Sequence, residues 1–297
     1  MSDNDSETVQ SHLVEPAWLE QRLGDDSMRV VDMRGYVNAQ TQPDGFQTAQ
    51  YNGAKDEYLI SHIPDAVYLD WTSDIVDTED PVPAQLAGPE KVADVLGRAG
   101  IGDDTLVIAY DNHPASQFAT RLWWVLRYYG HENVRVLNGG WTRWIVEGYP
   151  VTSETPRAKR AVFTPRPDPR WRQTWQDVSS KLDSDVVLID ARDEGQFTGT
   201  IRRGPRGGHI PGAVNVPREL LVESDGRWRA LPELRAEIES RGIRPSNEVV
   251  AYCNGGVAAT SVLFALSMLG YPDLSNYDGS WNEWGPRTDL PIATELP

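Results

Sequence analysis

Four short motifs occur twice along this chain, in the same order each time. Val30-Val31-Asp32-Met33-Arg34 returns as Leu188-Ile189-Asp190-Ala191-Arg192, and His62-Ile63-Pro64-Asp65-Ala66-Val67 returns as His209-Ile210-Pro211-Gly212-Ala213-Val214. Val107-Ile108-Ala109-Tyr110-Asp111-Asn112 returns as Val249-Val250-Ala251-Tyr252-Cys253-Asn254, and Asn138-Gly139-Gly140-Trp141 returns as Asp278-Gly279-Ser280-Trp281. The offset falls from 158 to 147, 142 and 140, which puts most of the length difference in an insertion between Arg34 and His62. Stacked solenoid repeats run to roughly 20–45 residues, so a period this long marks two copies of one domain. The copies are placed at 12–150 and 171–297. Between them, 151–170 carries four prolines and reads as an extended linker. The insertion, VNAQTQPDGFQTAQYNGAKDEY, is polar and reads as an elaborated loop.

Within each copy, short apolar runs rich in β-branched residues (RVVDM, LVIAY, VRVLN, VVLIDA, AVNVP, EVVAYC) alternate with segments of helical spacing (VADVLGRAG, TRLWWVLRYYG, PELRAEIESRG, AATSVLFALSMLG). Strands too short and too apolar to be half-exposed, separated by helices, predict an α/β fold. Each domain is expected to be a mainly parallel sheet covered by helices on both faces.

The one cysteine of the 297 residues, Cys253, falls at the carboxyl end of a predicted buried strand, where open α/β sheets form their ligand crevices. Asn254-Gly255-Gly256 follows, and a helix is predicted from about Ala258 to Leu269. Glycines let the loop curl its amides inward, and amides converging at a helix N-terminus stabilise an anion. Cys253 is therefore the candidate nucleophile, with the amides of Asn254, Gly255, Gly256, Val257, Ala258 and Ala259 as its anion cradle and no histidine base required. A buried packing thiol is the alternative for an isolated cysteine, and its place between strand, glycines and helix argues against that.

Composition excludes several other classes. A net charge of −16 leaves no basic face for nucleic acid. No apolar run of about 18 residues is present, and the polar, acidic N-terminus carries no secretory signal, so a cytoplasmic protein with no membrane partner is expected. A lone cysteine forms no internal disulfide, and five scattered histidines show no metal-ligand spacing, so neither a metal nor a cofactor is expected. Only four of the 28 basic residues are lysine, against 44 Asp and Glu. Such a surface resembles that of salt-adapted proteins, although a high-GC genome gives the same arginine bias.

Asp190-Ala191-Arg192, Gly208-His209-Ile210-Pro211-Gly212-Ala213, Tyr252-Cys253-x-x-Gly256-Val257 and Tyr277-Asp278-Gly279-Ser280-Trp281-x-Glu283-Trp284 together resemble the two-domain rhodanese, or sulfurtransferase, family. The resemblance implies two tandem rhodanese-like domains, the second carrying a cysteine that takes sulfur as a persulfide and the first catalytically silent; Asp111 holds the matching place in the first copy. It implies a small anionic sulfur donor, thiosulfate or 3-mercaptopyruvate, and a thiol or cyanide acceptor, a small thiol protein among the candidates. It assigns Arg192 to the substrate anion, against the alternative of a fork that ties loops together. The neutral loop favours mercaptopyruvate. Thr198, standing where mercaptopyruvate enzymes usually place a second arginine, favours thiosulfate unless Arg202, Arg203 or Arg206 substitutes. His62 is a secondary candidate facing the interdomain cleft, whereas His209, Asp32 and Asp190 read as structural. A cysteine phosphatase would need an arginine where Ala259 stands. A scaffold would not need Cys253, and a thiol redox sensor is separated by a sulfur-donor assay.

Overall fold

A computed structural model describes residues 12–295. The first domain is built from β1 (Leu13–Val14), α1 (Pro16–Glu20), β2 (Met28–Asp32), β3 (Gly35–Thr41), β4 (Gln47–Gly53), α2 (Lys55–Ile60), β5 (Val67–Tyr68), α3 (Pro89–Arg98), β6 (Leu106–Tyr110), α4 (Gln117–Tyr128), β7 (Val134–Leu137) and α5 (Gly140–Val146). The second comprises β8 (Arg172–Gln173), α6 (Trp175–Ser180), β9 (Val187–Asp190), α7 (Glu194–Thr198), β10 (Val214–Asn215), α8 (Leu231–Ser240), β11 (Val249–Tyr252), α9 (Ala259–Met268), β12 (Leu274–Tyr277) and α10 (Ser280–Trp284). Each domain holds one five-stranded parallel sheet, ordered β1-β7-β6-β2-β5 in the first and β8-β12-β11-β9-β10 in the second. Counted within its own domain, each order is first-fifth-fourth-second-third. The duplication read from the motifs is thus a duplication of topology, and the α/β fold is as expected.

The central strands are apolar throughout because helices cover both faces: β6 reads LVIAY and β11 reads VVAY, the latter wholly buried. Local signals set the helix starts. Pro89 opens α3, and Thr174 and Asp177 form a reciprocal capping box on α6. The helix α4 has no exposed stripe, since every residue from Gln117 to Leu126 is buried. It lies between the domains and packs on α9, with Trp123 edge-on to Phe264 at 5.2 Å and Thr120 Oγ1 3.0 Å from Thr260 Oγ1. One hydrophobic core runs through both sheets as a result.

A buried guanidinium crosses the same boundary. Arg121 on α4 donates to the carbonyls of Gly256 (3.1 Å) and Ala84 (2.8 Å) and pairs with Asp278 at 2.7 Å. Asp278 in turn accepts from the amide of Leu86 and pairs with Arg172.

The insertion between Arg34 and His62 differs from the expected loop. It is an antiparallel hairpin, β3 against β4 in register from Gly35↔Gly53 to Thr41↔Gln47, followed by α2. The hairpin tip reaches the second domain: the Gln47 amide donates to the Arg202 carbonyl and the Arg202 amide to the Gly45 carbonyl, both at 2.8 Å. Residues 153–168 contain no helix or strand, but they are tied to the first domain, Ala161 N to Gly97 O at 3.0 Å and Arg166 N to Tyr129 O at 2.9 Å. Among the described residues no helix is long and apolar enough to cross a membrane.

Candidate active site

Strand β11 delivers Cys253 to the mouth of a cavity of about 310 Å³ between the domains. The strand ends there because its last residue hands the chain to a turn that only glycine can make. Gly256 has φ +70°, and a Cβ on it would stand 2.7 Å from the carbonyl oxygen of Asp278. The Cys253 amide donates to Ser280 Oγ (3.1 Å), whose hydroxyl donates to the Tyr277 carbonyl, and the Cys253 carbonyl accepts from the Trp281 amide. The backbone of the cysteine is fixed on both sides while its thiol, 4% exposed, faces the cavity. Helix α9 starts at Ala259, so its positive end lies at the loop. Among the described residues, the amides of Asn254, Gly255, Gly256, Val257 and Ala258 donate to no protein acceptor.

The cavity is lined by equivalent loops of the two copies. Gly35 and Tyr36 follow β2 as Asp193 follows β9; Trp71 follows β5 as Arg218 follows β10; Asn112 and His113 follow β6 as Asn254 and Gly255 follow β11. The carboxyl ends of two parallel sheets therefore meet at one crevice. Its aromatic side, Tyr36, Tyr51, Trp71 and Phe118, comes from the first domain. Its two cations, Arg203 and Arg218, come from the second. His113 is held neutral, pushed down to about 3 by burial and then by the Arg218 charge. A polar relay crosses the domains: Arg203 Nη2 and Gln196 Nε2 both donate to Gln47 Oε1, at 2.5 and 2.9 Å, and Asn254 Nδ2 donates to Gln196 Oε1 at 2.8 Å.

Of the residues expected from sequence, Asn254, Gly255, Val257 and Ala258 line the cavity with Cys253, whereas Gly256 faces Asp278 and Ala259 opens the helix. Arg192 is placed otherwise. It is buried off the cavity, its Nε 2.9 Å from Asp190, its Nη2 on the Gly208 carbonyl and its plane 4.5 Å from the Trp281 ring. Arg34 makes the same set with Asp32, the Ser61 carbonyl and Trp141 in the copy that has no cysteine. The fork reading accounts for both. Burial lowers the proton affinity of Arg192, but Asp190, Tyr252 and Cys253 more than offset this and raise it, so its charge still reaches the thiol electrostatically.

His62 likewise departs from the expected cleft-facing position. It is fully buried, with Nδ1 2.6 Å from the Tyr58 carbonyl, and His209 repeats this on the Phe197 carbonyl at 2.8 Å. Thr198 does not line the cavity; its hydroxyl donates to the Glu194 carbonyl one turn back, and Gln196 is the cavity-facing residue of α7. Arg202 pairs with Asp44 and Arg206 holds carbonyls near the C-terminus, which leaves Arg203 as the one of the three that reaches the crevice. Arg218 was not foreseen. The signal was its register: it stands where the first copy has Trp71.

In the first copy Asp111 occupies the position of Cys253. Its carboxylate accepts from the amides of His113 (2.8 Å), Phe118 (2.7 Å) and Ala119 (2.8 Å) at the start of α4. The loop of the first copy thus closes around its own carboxyl group. Burial pushes this carboxyl up to about 7, against the pull of those three amides. Among the described residues no cluster of three metal-ligating side chains occurs.

Comparison with known proteins agrees with this geometry. The rhodanese-like domain model matches twice, over residues 15–147 and 174–286. Rat thiosulfate sulfurtransferase is 35% identical over 285 residues, covering 93% of this chain and 92% of its own. Human 3-mercaptopyruvate sulfurtransferase is 34% identical over 239 residues, with 79% and 80% covered. The crystal structure of SseA from Escherichia coli, a 3-mercaptopyruvate sulfurtransferase, superposes with a TM-score of 0.77 at 30% identity, covering 91% of this chain and 98% of that one.

Proposed function

This chain belongs to the rhodanese family of sulfurtransferases, and from that premise we propose that it moves the outer sulfur of thiosulfate to a thiophilic acceptor through a persulfide on Cys253. The Cys253 thiolate attacks the outer sulfur, an Sγ–S bond forms, and the S–S bond of the donor breaks with its electron pair leaving on sulfite. Cyanide or a thiolate then attacks the terminal sulfur and returns the thiolate. The observation that supports this most is the placement of the one thiol in a loop where five amides have no protein acceptor among the described residues, at the start of α9. In this reading the loop amides meet the charge that develops on the terminal sulfur, and donors fixed in place lower the barrier without reorganising. Arg203 and Arg218 give an anionic donor a reason to enter a protein of charge −16.

Mercaptopyruvate is the second reading. The neutral loop favours it, and so do two guanidinium groups in the crevice that meet the need for a carboxylate partner. Incubation with thiosulfate is expected to add one sulfur, about 32 Da, to wild type and not to Cys253→Ser, with cyanide removing it. Full turnover in Cys253→Ser would sink the persulfide reading. The ratio of kcat/KM for the two donors decides between them, a value for mercaptopyruvate more than about tenfold higher overturning thiosulfate.

A further inference from the structure

Among the described residues, the side chain of the first domain that hydrogen-bonds directly to the loop after Cys253 is Arg121. Arg121 Nη1 donates to the Gly256 carbonyl at 3.1 Å, and Asn276 Nδ2 donates to the same oxygen at 2.9 Å. A trans peptide is planar, so a carbonyl held on one side sends the next N–H to the other. That next N–H belongs to Val257, which lines the cavity with Cys253 and whose amide has no protein acceptor among the described residues. We infer that Arg121 is a positioning residue: it holds the Gly256–Val257 peptide so that the Val257 amide faces the sulfur, and the first domain acts on the reaction through it.

Three features give Arg121 this role beyond that of a packing contact. The guanidinium is fully buried, yet its Nη groups go to two carbonyls and one carboxylate, a fixed fork that lysine cannot copy. Its carboxylate partner is shared: Asp278 pairs with both Arg121 (2.7 Å) and Arg172 (3.1 Å), which ties the fork to the strand that opens the second domain. And Asp278 supplies the carbonyl against which Gly256 turns, so the ion pair and the glycine turn are fixed by one residue. A thiolate or a persulfide anion in front of the loop gains from the aimed amide.

The inference rests on Cys253 being the reacting thiol, and the test reads that thiol with and without turnover. Cys253 is the only cysteine, so iodoacetamide alkylation reports its reactivity whatever the donor is. In Arg121→Met, sulfur transfer is expected to show kcat at least about tenfold lower with KM within about threefold, and alkylation at pH 7 is expected to slow about tenfold. Arg121→Lys, retaining charge without the fork, is expected to recover part of the alkylation rate. Thr120→Val, which removes a neighbouring interdomain contact without touching the Gly256 carbonyl, is expected to lower stability and leave alkylation unchanged. A folded Arg121→Met protein with wild-type alkylation and kcat overturns the inference, as does equal slowing in Thr120→Val. Should Arg121→Met fail to fold, Arg121→Lys decides: it keeps a cation there but loses the fork that reaches the Gly256 carbonyl, and wild-type alkylation with wild-type kcat in that folded variant overturns the inference. Slowed alkylation in a protein that transfers no sulfur upholds the positioning and removes only the proposed reaction.

Discussion

Replacing Asp111 by alanine separates the stability of the first copy's loop from turnover. The substitution strands two buried amides, those of Phe118 and Ala119, and the half-buried amide of His113, each of which loses an acceptor at 2.7–2.8 Å. An unsatisfied buried donor costs about 1–3 kcal/mol, so the two buried amides alone put the loss at about 2 kcal/mol at the low end. The cost depends on pH with a definite sign. The folded carboxyl titrates at about 7, above its unfolded value of about 3.8, so its stabilisation is fully present below the unfolded value and is lost as pH rises through the folded one. From pH 5.5 to pH 8 wild type forfeits about 2 kcal/mol by this route, and alanine forfeits nothing. The gap between the two proteins in urea unfolding therefore narrows toward pH 8 by about that amount, while kcat/KM stays within a few-fold because no reacting atom lies at Asp111. A gap that widens with pH would show that the three amides outweigh burial and hold the carboxyl ionised. A loss of turnover comparable to that of Cys253→Ser would mean that the catalytic copy was misassigned.

Arg203→Gln and Arg218→Gln each remove a cation from the crevice and are expected to raise KM for an anionic donor with kcat largely kept, at about 1.5–3 kcal/mol or roughly 10- to 150-fold in kcat/KM. An unchanged KM in both variants would place the donor elsewhere. If the −16 charge is salt adaptation, the unfolding temperature rises between low and molar KCl as self-repulsion is screened, whereas a flat response returns the arginine bias to genome composition.

The parts legible in the sequence were those set by local periodicity and by the duplication. Cys253 was found because strand, glycines and helix start coincide on ten residues. The hairpin was not, because its strands GYVNAQT and QTAQYNG present mostly polar residues to solvent and leave no alternating apolar face to detect. Its partner is also in the other domain, which no local pattern reveals. Arg192 and His62 were legible in principle. Each has a twin, Arg34 and His209, and a residue retained on both sides of a duplication in which only one copy holds the nucleophile belongs to what the copies share, the fold. Arg203 was one of three arginines that the sequence left open and Arg218 only a register match to Trp71; the meeting of two sheet ends is what brings both to the cavity with Cys253.

That meeting has a consequence for cutting the chain. The aromatic wall, the hairpin tip bonded to Arg202 and the guanidinium beneath Gly256 all come from the first 150 residues, which carry no thiol. A shortened gene encoding only the cysteine-bearing half would yield an open, half-walled crevice and a loop without its brace. Encoding both halves in one reading frame delivers them in equal numbers and already joined, so the half without a cysteine serves as a built-in subunit.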